Sequence, residues 1–192
     1  MTVGFHMEAG CFFGGFLIEL YVLECEDPVP GSRRLLGRGL AGRNLPEETP
    51  LCHDQRGRPF LRQGPEVSLS HTRGAAAAAL GDSPLGVDLE RHRPVREGVP
   101  ERVMSPEEYA WFREGGCRRE DFYTLWTLKE SYYKYLGTGL PGFPNETVFR
   151  REGDRWRLDG TDLQFLVWEK NLLSVALCSE GQEVRVMWFS ES

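Results

Sequence analysis

Between residues 122 and 136, apolar side chains recur at spacings of three, four and seven: Phe122, Leu125, Trp126, Tyr132, Tyr133 and Leu136. That is one apolar face of a helix, and it predicts a helix over 121–136. Asp121 is placed to cap its start and Gly137 to end it. Upstream, Val87 and Leu89 alternate with Asp88 and Glu90. A period of two is a strand with one face apolar and the other carrying two carboxylates.

The same reading organises the rest of the chain. Strands are expected over 16–23, 59–61 and 67–70, with a turn-rich stretch over 26–31 and a short helix over 32–40. The run from Ala75 to Ala79 sets helix propensity against position. Gly74 and Gly81 leave room for only one short element before the carboxylate strand, and we read it as a strand on which a helix packs closely. A second half begins near Pro94, dividing the chain into 1–93 and 94–192. Helices are expected from about residue 100 and over 105–112, then the long helix. Strands follow over 147–151, 155–158, 163–169, 172–178 and 183–189. Each half is thus a helix with an antiparallel sheet, an α+β chain.

Composition removes some classes. The 192 residues hold 29 acidic against 23 basic side chains, a net charge of −6, so no nucleic-acid footprint is expected. The apolar run over 10–18 is too short to span a bilayer and reads as the first buried strand; no membrane association is expected. Cys11, Cys25, Cys52, Cys117 and Cys178 show no metal spacing and read as reduced thiols, a cytoplasmic pattern.

The chemistry lies in two segments. On the strand, Asp88 and Glu90 share one face. On the helix, Glu130 and Lys134 are four apart, the orientation that favours an ion pair, and Lys129 adds a second cation. Taken singly, each is an ordinary solvated surface. Taken together, Asp88, Glu90 and Glu130 suffice for magnesium, which prefers a few carboxylates plus phosphate oxygens and water. Lys129 and Lys134 would then neutralise phosphate. The stretch Ser68-Leu69-Ser70-His71 comes one short segment earlier and would bring His71 to the same place.

These residues resemble the Sfp-type 4'-phosphopantetheinyl transferases. The motifs are Gly57-Arg58-Pro59, Ser68-Leu69-Ser70-His71, Gly86-Val87-Asp88-Leu89-Glu90 and Trp126-Thr127-Leu128-Lys129-Glu130-Ser131 with Lys134, in the family's order and with similar spacing. The segments 102–108 and 137–140 resemble the family as well. One departure stands out: residues 1–30 hold no Lys or Arg, where the family's Sfp branch has a longer basic stretch.

The resemblance implies two similar α+β lobes with the active site in the cleft between them. It implies transfer of the phosphopantetheine arm of coenzyme A to a serine of an acyl- or peptidyl-carrier protein, with Mg2+, by a monomer. Asp88, Glu90 and Glu130 would hold the metal. Glu130 would take the serine proton, Lys134 would stabilise the leaving phosphate, and Lys129 and His71 would contact phosphate oxygens. Ser70 and Arg58 would bind the nucleotide end, and Arg33 matches an arginine near the ribose phosphate. For the carrier, Arg113, Arg118 and Arg119 beside Trp111 and Phe112 form the candidate surface.

Overall fold

A computed structural model describes residues 17–140 and 144–191. Most of the apolar run over 10–18 lies outside them. The chain order is β1 (Leu17–Glu24), α1 (Pro28–Gly42), β2 (Leu51–His53), β3 (Pro59–Leu61), β4 (Glu66–Thr72), β5 (Ala75–Gly81) and β6 (Leu85–Arg91). Then come α2 (Val99–Val103), α3 (Pro106–Glu114), α4 (Arg119–Leu136), a 3-10 turn over Pro144–Glu146, β7 (Phe149–Glu152), β8 (Arg155–Leu158), β9 (Gln164–Lys170), β10 (Leu173–Ser179) and β11 (Glu183–Ser190).

Two sheets carry the fold, one ordered β11-β1-β5-β4 and the other β6-β10-β9-β8-β7. Their apolar faces meet. Ile18, Leu20 and Val22 of β1 and Ala75, Ala77 and Ala79 of β5 pack with Val87 and Leu89 of β6 and Val175 and Leu177 of β10. Helix α1 covers the outer face of the first sheet, where Ala76, Ala78 and Leu80 meet Leu35, Leu36 and Leu40. Helix α4, with α2 and α3, covers the outer face of the second. The alanine run is a strand, fully buried on both faces. Helix α1 approaches it through its own glycines: an added Cβ would lie 3.4 Å from the Ala76 methyl at Gly31 and 2.6 Å from a methyl of Leu80 at Gly39.

Both halves are helix on sheet, but strands cross the division at residue 93. β6 precedes it and pairs with β10, whereas β11 follows it and pairs with β1. That β1–β11 pair is parallel, so the first sheet is not wholly antiparallel. Helix α1 starts at Pro28, inside the stretch expected to be turn. Proline suits the first helical position, because its missing N–H has no partner there anyway. Asp121 is not the N-cap of α4. Arg118 occupies that place, and Asp121 sits in the first turn and accepts two hydrogen bonds from the Arg118 guanidinium. Gly137 ends α4 in the left-handed conformation (φ 67°), as expected. No described helix is long and apolar enough to cross a membrane.

The β9–β10 turn holds Asn171 and Leu172, both at positive φ (51° and 60°). Leucine is strained there, by roughly 1–2 kcal/mol, and its side chain is 58 % exposed, so it gains little from burial. Leu172→Gly should therefore stabilise the fold by about 0.5–1 kcal/mol after the backbone entropy of glycine is subtracted. Thermal unfolding checks this; a lowered Tm refutes it.

Candidate active site

The site forms where β4 of the first sheet meets β6 of the second beneath α4. Strand β6 presses against the α4 backbone at Gly86, where an added Cβ would lie 2.0 Å from the carbonyl oxygen of Ser131 and 2.4 Å from the amide nitrogen of Tyr135. Only glycine fits. Asp88 and Glu90 follow on the same face of β6, and Glu130 and Lys134 follow on α4.

Asp88 is buried. Its Oδ1 accepts hydrogen bonds from Lys134 Nζ (2.7 Å) and Ser70 Oγ (2.8 Å). Lys134 Nζ also donates to Ser70 Oγ at 2.9 Å. Lys134 thus pairs with Asp88 across the sheet junction rather than with Glu130 along its own helix. Glu90 Oε2 accepts from Thr72 Oγ1 at 2.9 Å. Asp88 Oδ2 is buried and has no partner among the described residues. A buried carboxylate oxygen with no donor is costly unless something completes it.

Electrostatics indicate the same. Burial, with the charges of Asp88 and Glu90 and against the pull of Lys134, raises the Glu130 carboxyl to about 7. Burial also raises Glu90, opposed by its bond to Thr72. The cluster has more negative charge than Lys134 alone can offset. Its donors are hard oxygens, the set that suits Mg2+. Among the described residues, no three Asp, Glu, His or Cys side chains are gathered tightly enough to hold a metal unaided. The unpartnered Oδ2 and the mutual repulsion both fit a cation bound together with phosphate oxygens.

The remaining predicted residues lie elsewhere. Lys129 is not at the site. It is fully buried and bonds to Glu108 (2.8 Å), to the Pro144 carbonyl (3.1 Å) and to the Thr147 carbonyl. Burial pushes its pKa down while Glu108 holds it up. Glu108 also closes a capping box with Ser105 and accepts the Phe149 N–H. Lys129 therefore ties α3, α4 and the segment before β7 together, and it is out of reach of a phosphate. His71 is exposed on the α1 face of β4, opposite Ser70 and Thr72. Arg33 is exposed on α1. Neither bonds to the carboxylates. Arg58 borders the site: its side chain lies against Gly137, one turn past Lys134, and pairs with Glu66. Of the partner surface, Phe112 is buried in the core and offers no anchor, and Arg118 is engaged by Asp121. Sequence reasoning passed over Thr72; the signal was the period-two run Ser68, Ser70, Thr72.

The strand-borne carboxylates Asp88 and Glu90, with Glu130 and Lys134 from the helix, make up the candidate site. The chain belongs to the 4'-phosphopantetheinyl transferase superfamily, whose family model matches residues 84–180. It is similar to the 4'-phosphopantetheinyl transferase gsp of Aneurinibacillus migulanus, 30% identical over 100 residues, 50% of this chain and 42% of the relative. It is likewise similar to the transferase psf-1 of Bacillus pumilus, 30% identical over 123 residues, 58% and 53% of the two chains. The chain spans about half the length of these curated relatives. Among solved structures, the Thermotoga maritima holo-[acyl-carrier-protein] synthase matches 54% of this chain and 64% of its own, with a TM-score of 0.45 and 26% identity.

Two predictions follow from this geometry. Replacing Lys129 by Met leaves the buried Glu108 charge without its cation, which should cost about 3–5 kcal/mol of stability. Denaturant unfolding measures this, and parent-like stability would return Lys129 to the site.

The second concerns pH. The Glu130 carboxyl is raised from 4.5 to about 7 in the fold. Its contribution to stability is present below the unfolded value and lost as pH rises through 7. With divalent ions chelated, Glu130→Gln should raise Tm relative to the parent more at pH 8 than at pH 5. An equal shift at both pH values contradicts the assignment.

Proposed function

We propose that this protein transfers the 4'-phosphopantetheine arm of coenzyme A to a serine of an apo acyl- or peptidyl-carrier protein, releasing adenosine 3',5'-bisphosphate. The observation that carries the reading is the unpartnered, buried Oδ2 of Asp88 beside Lys134, Glu130 and Glu90. It supports a place where a cation and a pyrophosphate would complete an unfinished set of charges. The family membership supports the choice of this phosphoryl transfer over others.

Asp88, Glu90 and Glu130 would hold Mg2+. The bound ion would supply charge neutralisation and alignment of the pyrophosphate oxygens. The protein's own groups do the rest. The serine oxygen attacks the phosphorus that bears the pantetheine arm; a new P–O bond forms there and the pyrophosphate P–O bond breaks. Glu130 receives the serine proton. Lys134 turns from Asp88 towards the developing charge on the leaving phosphate. Such chemistry asks mainly for positioning and charge stabilisation.

Arg58, whose side chain lies against Gly137 just past α4, and Ser70 would bind the nucleotide end; Arg33 would meet its ribose phosphate, and His71 its phosphate oxygens. The free thiols at Cys25, Cys52, Cys117 and Cys178 fit a protein working in the reducing cytoplasm.

Incubation with coenzyme A, Mg2+ and a panel of apo carriers should add the mass of one phosphopantetheine arm to a carrier. No gain on any carrier refutes the reading. Lys134→Ala should lower kcat by about 10²–10³-fold with a smaller change in KM for coenzyme A. Lys134→Arg should recover part of it, since a planar fork replaces a point charge. A loss confined to KM would make Lys134 a binding residue only.

A further inference from the structure

The geometry points to Thr72 as a positioning residue that holds Glu90 in place for the cation. The inference rests on the cation site of the preceding reading. Strands β4 and β6 belong to different sheets, so no backbone ladder joins them. Hydroxyls join them instead. Ser68 Oγ accepts the Val87 N–H at 3.0 Å, and Ser70 Oγ accepts the Leu89 N–H at 3.3 Å. One step further along the same face, Ser70 Oγ donates to Asp88 and Thr72 Oγ1 donates to Glu90. The hydroxyls and carboxylates share a period of two, and each donor meets the acid 18 residues on. A slip of one residue would break both bonds at once.

The three hydroxyls are not equivalent. Ser70 is shared with Lys134, so its loss disturbs two charged groups. Among the described residues the Thr72 hydroxyl bonds only to Glu90, and Thr72 is itself buried. Glutamate has a long side chain whose free rotamers must be given up when it is fixed. A hydroxyl fixed on a strand orders it in advance: it fixes Oε2 and so sets the direction of the carboxyl plane. Partners of this kind around a metal ligand typically change metal affinity by about 10–100-fold when lost.

Thr72→Val keeps the β-branched shape and the strand preference and removes only the donor. Thr72→Ser keeps the donor. The test titrates Mn2+, as the probe, into the full chain by calorimetry, with and without coenzyme A. Thr72→Val should bind Mn2+ about 10-fold more weakly, and Thr72→Ser should stay within about twofold of the parent. In the transfer assay, the Mg2+ concentration for half-maximal rate should rise in Thr72→Val, and excess Mg2+ should restore the rate. Should Val overpack the site and lower Tm, Thr72→Ala supplies the same comparison.

Parent-like Mn2+ affinity in Thr72→Val, or Thr72→Ser as weak as Val, overturns the role, as does a rate loss that excess Mg2+ does not restore. A parent that binds Mn2+ yet modifies no carrier defeats the transfer reading alone, and the Mn2+ comparison still decides Thr72. A parent that binds no Mn2+ removes the cation site and this role together.

Discussion

The contact between Gly86 and the backbone of α4 sets the position of everything else in the site. A strand and a helix touch there without an intervening side chain, and even a methyl group would overlap the Ser131 carbonyl. That closeness fixes the height of α4 above β6. Residues 130 and 134 flank Ser131 on the helix, and Asp88 lies two residues past Gly86 on the same face of the strand. The distance over which Lys134 reaches Asp88 is therefore set by the packing of two backbones and not by flexible loops. Fully buried Ser131 serves the same purpose from the helix side. Sites held on rigid elements keep their geometry better than sites on loops.

The polar groups of α4 divide into a closed set and an open one. Around Lys129 every strong group is satisfied: Glu108 accepts from Lys129, from the Ser105 N–H and from the Phe149 N–H, and Lys129 donates to two carbonyls as well. Around Lys134 the account is left incomplete. Asp88 keeps an unpartnered oxygen, and Glu130 is raised to about 7 because burial and neighbouring carboxylates both oppose its charge. A buried, satisfied pair fixes structure. A buried, unsatisfied cluster is disfavoured until a ligand of opposite charge arrives, which makes it a functional candidate on physical grounds.

Much of this was legible in the chain. The periodicity of α4 and the alternation of β6 were strong because each buries one face against a large core. The alanine run became readable once close packing was weighed against helix propensity. The parallel pairing of β1 with β11 was not legible, because it joins the two ends of the described chain and leaves no local pattern. The short hairpin of β2 and β3 was likewise too brief to show a period. The early start of α1 was hidden by Pro28 and Pro30, which read as turn residues but suit a first helical turn. Asp88, Glu90, Glu130 and Lys134 were expected together because two residue patterns of different period aimed them at one junction, and they do meet there; Ser70 entered only through the family resemblance. Thr72 was passed over because the period-two run Ser68, Ser70, Thr72 gains meaning only once β4 is seen to face β6 across the two sheets.

Lys129 shows why charge alone misleads. It stands four residues after Leu125, which is fully buried, so its side chain follows the core stripe. Lys134 stands five residues further on, about 140° around the helix at 3.6 residues per turn, and emerges where the sheets meet. Two lysines on one helix thus have opposite duties, decided by rotation about its axis. The sequence held a second clue: Ser105 and Glu108 have the spacing of a capping box. That box turns Glu108 back towards the start of α3, where it is buried, and a buried carboxylate needs a cation. Lys129 is that cation, and a lysine so engaged is not available to a phosphate.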